Sequence, residues 1–293
     1  MDPTFRAFLQ SWDWRLDIIV VLLAFGLAYT AGWLRLRRKG AKLANRWRLG
    51  SYYLGLVFLV IALMSGIDTF QTQLFFIHMV QHVFLFMLAP PLLLLANPMP
   101  FLMWAIPGPE RRQIARLFTQ RSRFRKMLVS VTTPTVIWFI FAANLWLWHD
   151  PNPYNAAITN DFLHDIEHWL FFITGLGFWW HVTNAAPKFH RQRTDAARMA
   201  LIIMVYFQNL LLGVAITMSP DVIYTHYESV PRVWGISVMQ DQMLGGLIMW
   251  IPGGMMYLIA LLILIARMID RSERRARMGD QQRRLQLERV PSR

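Results

Sequence analysis

Residues 73–96 read QLFFIHMVQHVFLFMLAPPLLLLA, a run without Asp, Glu, Lys or Arg. A helix needs about 20 mostly apolar residues to cross the hydrocarbon core of a bilayer, so this stretch predicts a transmembrane helix. The run also contains His78 and His82, which are four residues apart. Residues at this spacing lie on the same helix face, with Cβ atoms about 5–6 Å apart. The stretch therefore predicts a spanning helix that carries a pair of imidazoles on one face.

Six more runs of similar character lie along the chain, which has 293 residues, of which 55% are hydrophobic and 16% charged. A soluble domain carries about 25% charged residues, so the composition indicates an integral membrane protein. We predict an all-α membrane protein in which residues 1–267 form one seven-transmembrane helix bundle. The predicted spans lie near residues 17–34, 49–66, 73–96, 127–148, 162–181, 198–219 and 239–266.

The basic residues are distributed very unevenly between the loops. Of the 30 Lys and Arg residues, 27 fall on one side of the predicted bundle and three on the other, in a chain of net charge +13. Cytoplasmic loops are enriched in Lys and Arg, so the N-terminus is predicted outside and the C-terminus in the cytoplasm. The basic tail, residues 268–293, is expected to meet lipid headgroups on the cytoplasmic side, and no nucleic-acid partner is expected. The positive cluster follows the first span, so this span is not expected to be a cleaved signal.

Prolines and the inner loops suggest further features. Pro90–Pro91, Pro134 and Pro252 are predicted to interrupt or kink their helices, because proline removes a backbone hydrogen bond. The long inner loop, 97–126, is predicted to form a short amphipathic helix on the membrane surface near residues 111–118. The tail is expected to begin as a helix and then fray.

A second histidine pair, His164 and His168, repeats the pattern of the first in the predicted fifth span. Both spans run from outside to inside and carry the pair near the outer end, so the two pairs are expected to lie level. They could form one four-imidazole site, or two half-sites completed by neighbours. His149 ends the fourth span on the same side.

These five histidines are the candidate metal ligands, because imidazole is the commonest protein ligand for metals. The chain has no cysteine, so a metal must use His, Met, carboxylate, backbone or water. Copper or zinc would suit such donors, and thioethers would favour Cu(I). Other groups predicted near this level could orient or complete the ligand set: Gln81, Glu167, Asp165, Asp241, Met79, Met243 and Asp68.

Other uses of the histidines stay open at this point. Bis-imidazole ligation of haem is one, although both pairs lie in the same leaflet, which disfavours electron transfer across the membrane. Hydrogen bonding between helices is another. The His-x-x-Glu-His pattern at 164–168 also matches a zinc-protease signature. Because the copy with Gln81 lacks a general base, no enzyme is expected. His181 and His190 are predicted to be surface residues outside the cluster, and His226 is either a mobile ligand or a bystander.

The blocks His78-Met79-Val80-Gln81-His82, Trp148-His149-Asp150-Pro151 and His164-Asp165-Ile166-Glu167-His168 resemble the multi-span, cysteine-free CtaG family of cytochrome c oxidase assembly factors. The resemblance continues through Asp241-Gln242-Met243-Leu244-Gly245-Gly246 and Met249-Trp250-Ile251-Pro252-Gly253, over about residues 75–255.

This resemblance implies a bacterial inner-membrane protein that helps to mature haem-copper oxidase at a copper centre. It places the five histidines at the histidine positions of the family and Asp241 at its acidic position. The expected function is to hold copper in the outer leaflet and deliver it to a cytochrome c oxidase subunit, with a periplasmic copper chaperone as another possible partner. A b-type haem protein, a copper permease and a purely structural scaffold are the alternatives.

Overall fold

The computed structural model describes residues 3–190 and 194–288. It is 80% helical, and the described residues contain no strand. The helices are α1 (Pro3–Gln10), α2 (Leu16–Arg38), α3 (Arg46–Met64), α4 (Gly66–Phe70), α5 (Phe75–His82), α6 (Ala89–Leu95), α7 (Pro98–Ala105), α8 (Gly108–Leu117), α9 (Arg123–Val131), α10 (Pro134–His149), α11 (Pro151–Ile158), α12 (Asp161–Thr183), α13 (Asp195–Met218), α14 (Val238–Trp250) and α15 (Pro252–Glu288).

Five helical segments in the described part of the chain are long and apolar enough to cross a membrane. They are Leu16–Arg38, Arg46–Phe70, Phe75–Leu95, Asp195–Met218 and Val238–Gln282. The predicted fourth span is split into α9 and α10, which meet at 58° and give a sixth span if counted together. Helix α12, the predicted fifth span, has 23 residues but is not among them. The protein is therefore a helical membrane protein, while the seven-span count, the orientation and the division into bundle and tail stay predictions.

Helix α12 is not counted among the five candidate spans because its first two turns carry polar residues. Asp161, Asp165 and Glu167 lie within seven residues of one another there, together with the second histidine pair. Charged residues inside a membrane are costly and usually face the interior of the bundle. The polar turns of α12 therefore need partners within the protein.

A single π-helical segment, Val83–Leu88, joins α5 to α6 and precedes Pro90 and Pro91. Proline has no N–H, so a regular helix would leave the carbonyl of Phe86 without a donor. The indole Nε1–H of Trp179 on α12 donates to that oxygen at 2.9 Å. Gly175 lets α12 approach so closely, because a Cβ there would lie 2.8 Å from the Phe86 ring. The interruption predicted at Pro90–Pro91 is thus a π-helical turn, and it holds α12 against α5, the helix of the first histidine pair.

Pro252 interrupts the last span less than the sequence suggested. Helix α14 ends at Trp250 and α15 begins at Pro252, yet the N–H of Met255 still bonds to the carbonyl of Ile251 at 2.9 Å. Helix α15 continues to Glu288, so the expected helical start of the tail is present and extends far along it, and residues 289–293 lie outside the described residues.

The loop 97–126 contains helix α8, Gly108–Leu117, which has no buried residue. The short helix predicted near residues 111–118 is therefore present, while its location on the membrane surface stays a prediction. The guanidinium of Arg111 lies over the ring of Trp104 at 4.1 Å, an arrangement suited to an interface between lipid and water.

The largest core cluster of the described residues packs against the buried face of α5 and includes residues of α10, α12, α13 and α14. Phe75 and Met79 of α5 lie in it, fully buried. Gly245 of α14 makes room for them, because a Cβ at this position would lie 2.2 Å from the Phe75 ring. This packing fixes the rotation of α5 about its own axis and so determines where its two histidines point.

Candidate metal centre

The five predicted histidines converge in one buried group formed by α5, α10 and α12. The ring of His78 lies 5.3 Å from that of His164, and the ring of His82 lies 5.7 Å from that of His168. His149 completes the group, with its ring 6.1 Å from His82. The two pairs are therefore level, as predicted. Each of the five side chains is at least nine-tenths buried.

Glu167 places a carboxylate among these rings. Its side chain is completely buried, and its Oε1 lies 3.3 Å from Nε2 of His82 and 3.8 Å from Nε2 of His78. Two three-residue groups have ligand atoms within 4.8 Å of one another: His78, His82 and His168 in one, and His78, His164 and Glu167 in the other. Such distances suit ligands around a common cation.

The polar atoms of this centre lack hydrogen-bond partners to an unusual degree. Among the described residues, sixteen buried side-chain nitrogen and oxygen atoms have none, and eight of these belong to the five histidines and Glu167. An unsatisfied buried polar group costs about 1–3 kcal/mol, so proteins rarely concentrate them. Imidazole nitrogens and carboxylate oxygens are metal ligands, so bound cations would supply partners that these atoms lack, and the donor set fits a cation.

The tautomer of His78 follows from a chain of hydrogen bonds. The hydroxyl of Tyr227 donates to the carbonyl of Gln71 at 2.8 Å, since a carbonyl can only accept. Its oxygen therefore accepts from the hydroxyl of Tyr154 at 2.7 Å, and Tyr154 in turn accepts from Nδ1–H of His78 at 2.7 Å. This leaves a free lone pair on Nε2 of His78, which faces the group.

Both tyrosines are suited to this role because they keep their protons. Burial raises the pKa of Tyr154 and of Tyr227 well above that of an exposed phenol. The relay therefore stays a set of neutral hydrogen bonds over the ordinary pH range.

His149 is fixed in the same tautomer by its own helix. Its Nδ1 lies 2.7 Å from the carbonyl oxygen of Leu145, so Nδ1 carries the proton and Nε2 is free. Ligating histidines commonly donate their second N–H to a carbonyl or a hydroxyl, which fixes ring orientation. His78 and His149 are therefore already arranged as metal ligands.

We expect Tyr154→Phe to weaken metal binding by about 10–100-fold, because the variant removes the acceptor that fixes His78. The measurement is copper affinity of the purified protein by competition with a chelator. Tyr53→Phe is the matched control, since the Tyr53 hydroxyl bonds to Thr30 and Gly26 in a different part of the molecule. Equal affinities for the two variants would contradict the role of the relay.

Gln81 occupies the position equivalent to Glu167 but points away from the centre. Its amide donates to the carbonyl of Ala62 at 2.8 Å and to Asp68 at 2.7 Å. The expectation that Gln81 orients an imidazole is wrong, and Asp68 is Gln81's partner rather than a group of the centre. This pair instead joins α5 to α3 and α4.

Asp165 and the two methionines also lie elsewhere. Asp165 forms a two-bonded ion pair with Arg15 at 2.6 and 2.9 Å, which ties α12 to the start of α2. Met243 is 42% exposed, and Met79 packs in the core beside Gly245. These positions do not support their expected part in the ligand set.

Asp241 is buried and positions the first histidine pair from outside the group. Its two oxygens accept from the backbone N–H groups of Phe75 and Phe76, at 3.0 and 2.9 Å, and from Arg232 at 3.0 Å. These N–H groups begin α5 and have no partner within the helix. Asp241 thus caps α5 from another helix.

The three remaining histidines lie outside the centre. Nε2 of His226 bonds to the carbonyl of Thr72 at 2.9 Å. His181 and His190 are half-buried rather than on the surface, and both bond to Thr132, through its carbonyl and its hydroxyl respectively.

An apolar cavity of about 420 Å³ adjoins the centre between α2, α3, α6 and α12. His168 lines this cavity as well as the histidine group, and Arg15 and Asp165 lie at one end of it. Of the five histidines, His168 is the one that reaches the cavity.

Comparison with known proteins identifies the family. The sequence model of the cytochrome c oxidase caa3 assembly factors (Caa3_CtaG) matches residues 27–271. The chain belongs to this family. The matched residues run from within α2 to the first half of α15 and include the whole candidate centre.

The relatives are identical to this chain at about a quarter of the aligned positions. An uncharacterized protein of Mycobacterium leprae is 26% identical over 87% of this chain and 39% of its own length. An uncharacterized protein of Mycobacterium bovis is 28% identical over 81% of this chain and 36% of its own length. This chain thus spans less than two fifths of the length of these relatives. No solved structure matches it significantly.

Tyr154 and Tyr227 belong to the candidate site, and the sequence alone did not reveal them. One signal was available for Tyr154. Asp150-Pro151 follows His149, and the Asp150 carboxylate accepts from the N–H of Asn152, which starts helix α11. A helix starting there places Tyr154 one turn later, beside the centre. Tyr227 lies in a loop, and no spacing pattern pointed to it.

Proposed function

We propose that this caa3 assembly factor holds copper at the histidine and glutamate centre and passes it to a subunit of cytochrome c oxidase. It acts without catalysing a reaction, in the inner membrane of a bacterium, with the centre in the outer leaflet. A periplasmic copper chaperone is the proposed source of the metal. The concentration of unpaired buried imidazole and carboxylate atoms is the observation that supports this function best.

The chemistry of the donors favours copper or zinc over harder cations. Imidazole suits zinc, copper, iron and nickel, whereas magnesium and calcium prefer oxygen ligands. Membership of a family of oxidase assembly factors favours copper among these metals. With Met79 packed in the core and Met243 exposed, the proposed ligand atoms are nitrogen and oxygen.

The haem alternative receives less support from the geometry. Bis-imidazole haem ligation requires a flat space as wide as a porphyrin between two rings, and here the rings of different helices contact one another edge to face with Glu167 among them. The adjoining cavity could hold an apolar group, but only one of the five histidines lines it. A permease would need further ligands toward the cytoplasm, and both candidate ligand groups in the described residues lie within the one centre.

Metal analysis and a visible spectrum of the same purified sample test this proposal. After supply of copper, we expect bound copper in the protein, retained through gel filtration, and no Soret band. Cells without the protein are expected to contain oxidase that keeps its haem absorption and lacks copper. A purified protein with a reduced haem spectrum and no copper would contradict the proposal.

A further inference from the structure

We infer that the centre holds two metal ions at once, bridged by Glu167, rather than a single ion. This inference rests on the proposed function, because it describes how the same residues share their metal.

The first argument is the number of donors. Five imidazoles and one carboxylate surround the centre, whereas zinc is held by about four ligands and copper in sites of this kind by a similar number. A single ion would leave several of the eight unpaired atoms buried without a partner. Two ions give each of the five imidazoles and both carboxylate oxygens a ligand role.

The second argument is the arrangement of the two ligand groups. Both include His78, but its Nδ1 is bound to Tyr154, so only Nε2 can ligate and it can serve one ion. We assign His78 and His164 to an outer ion. His82 and His168 then serve an inner ion, with His149 beside His82 as the next imidazole.

Glu167 is the residue that can join the two positions. It lies in the same group as His78 and His164, and its Oε1 is also 3.3 Å from Nε2 of His82. Neither of its oxygens has a hydrogen-bond partner. One oxygen can therefore bind each ion, as in two-metal sites whose ions lie about 3.5–4 Å apart.

The two ion positions also differ in how exposed they are to the outside of the protein. His164 is the most exposed of the five histidines, at 9%, and it lies one turn closer to the start of α12 than His168. The outer ion is thus the one expected to exchange with a partner, while the inner ion is enclosed more completely.

Copper stoichiometry by native mass spectrometry of the full-length protein in detergent tests this inference. We expect two copper ions in the unaltered protein, one in His164→Ala, and one in His82→Ala. Glu167→Gln is expected to bind at most one. His181→Ala is the matched control, since it makes the same change on the same helix outside the centre, and it should keep two.

The outcomes separate this inference from the proposed function. One ion in the unaltered protein, with no change in His164→Ala, would overturn the two-ion centre and leave the copper function standing. No copper in any of the proteins would overturn both.

Discussion

A protein that carries both His78→Ala and His168→Ala is expected to purify without copper while keeping its helical fold. His78 belongs to both candidate ligand groups, and His168 is a second member of one. The double variant leaves His164 with Glu167 at the outer position and His82 with His149 and Glu167 at the inner one, so each position loses an imidazole. Metal sites with so few ligands bind weakly, so we expect at least a ~100-fold loss of copper affinity.

The fold should survive because the lost imidazoles are themselves poorly satisfied. Nε2 of each has no hydrogen-bond partner, so its removal also removes an unfavourable buried group. The measurement is copper content by mass spectrometry, together with circular dichroism of the same sample. The control is a double variant of His181 and His190, which changes the same residue types at the other end of α12. Full copper content in the first double variant would show that the ligands lie elsewhere.

Asp241→Ala is expected to lower the free energy of unfolding by about 3–5 kcal/mol, the range for removing one partner of a buried ion pair. The Asp241 side chain is fully buried, and that of Arg232 is 24% exposed. Loss of the Asp241 carboxylate would leave Arg232 and the two N–H groups at the start of α5 without their acceptor. Copper binding should fall as well, because α5 carries His78 and His82.

Thermal or denaturant unfolding in detergent measures this effect. The matched control is Asp270→Ala, whose carboxylate bonds to Arg274 four residues later on an exposed part of α15. Exposed pairs of this kind contribute about 0.3–0.5 kcal/mol. Asp241→Asn keeps an acceptor oxygen and should fall between the two. A similar, small effect for the two alanine variants would refute the capping role of Asp241.

The helical class and the histidine group could be predicted because both depend on distances along the chain. Long apolar runs satisfy their backbone hydrogen bonds internally, which in a bilayer favours helices. The spacing of His78 and His82 fixed their common face, and the repeat at His164 and His168 indicated a second helix of the same kind. The span count was harder, because α12 carries its polar ligands within the run that would cross the membrane.

The predictions that the structure does not support concern the rotation of a helix about its own axis. Gln81 and Glu167 stand at the same place in two nearly identical patterns, yet Glu167 enters the centre and Gln81 bonds to Asp68. Spacing along one helix gives the angle between its own side chains, but it does not say which neighbour each face meets. The same uncertainty explains why Met243 was expected near the centre and lies exposed instead.

The sequence by itself determined that this protein is a bundle of apolar helices with two level pairs of imidazoles, since composition and local spacing suffice for both. Only the tertiary structure decided that the Glu167 carboxylate lies among these imidazoles. It also decided that Tyr154 and Tyr227 orient His78 and that Asp241 caps α5. Each of these contacts joins residues far apart in the chain. They depend on how helices pack and turn against one another, which no periodicity within a single helix records.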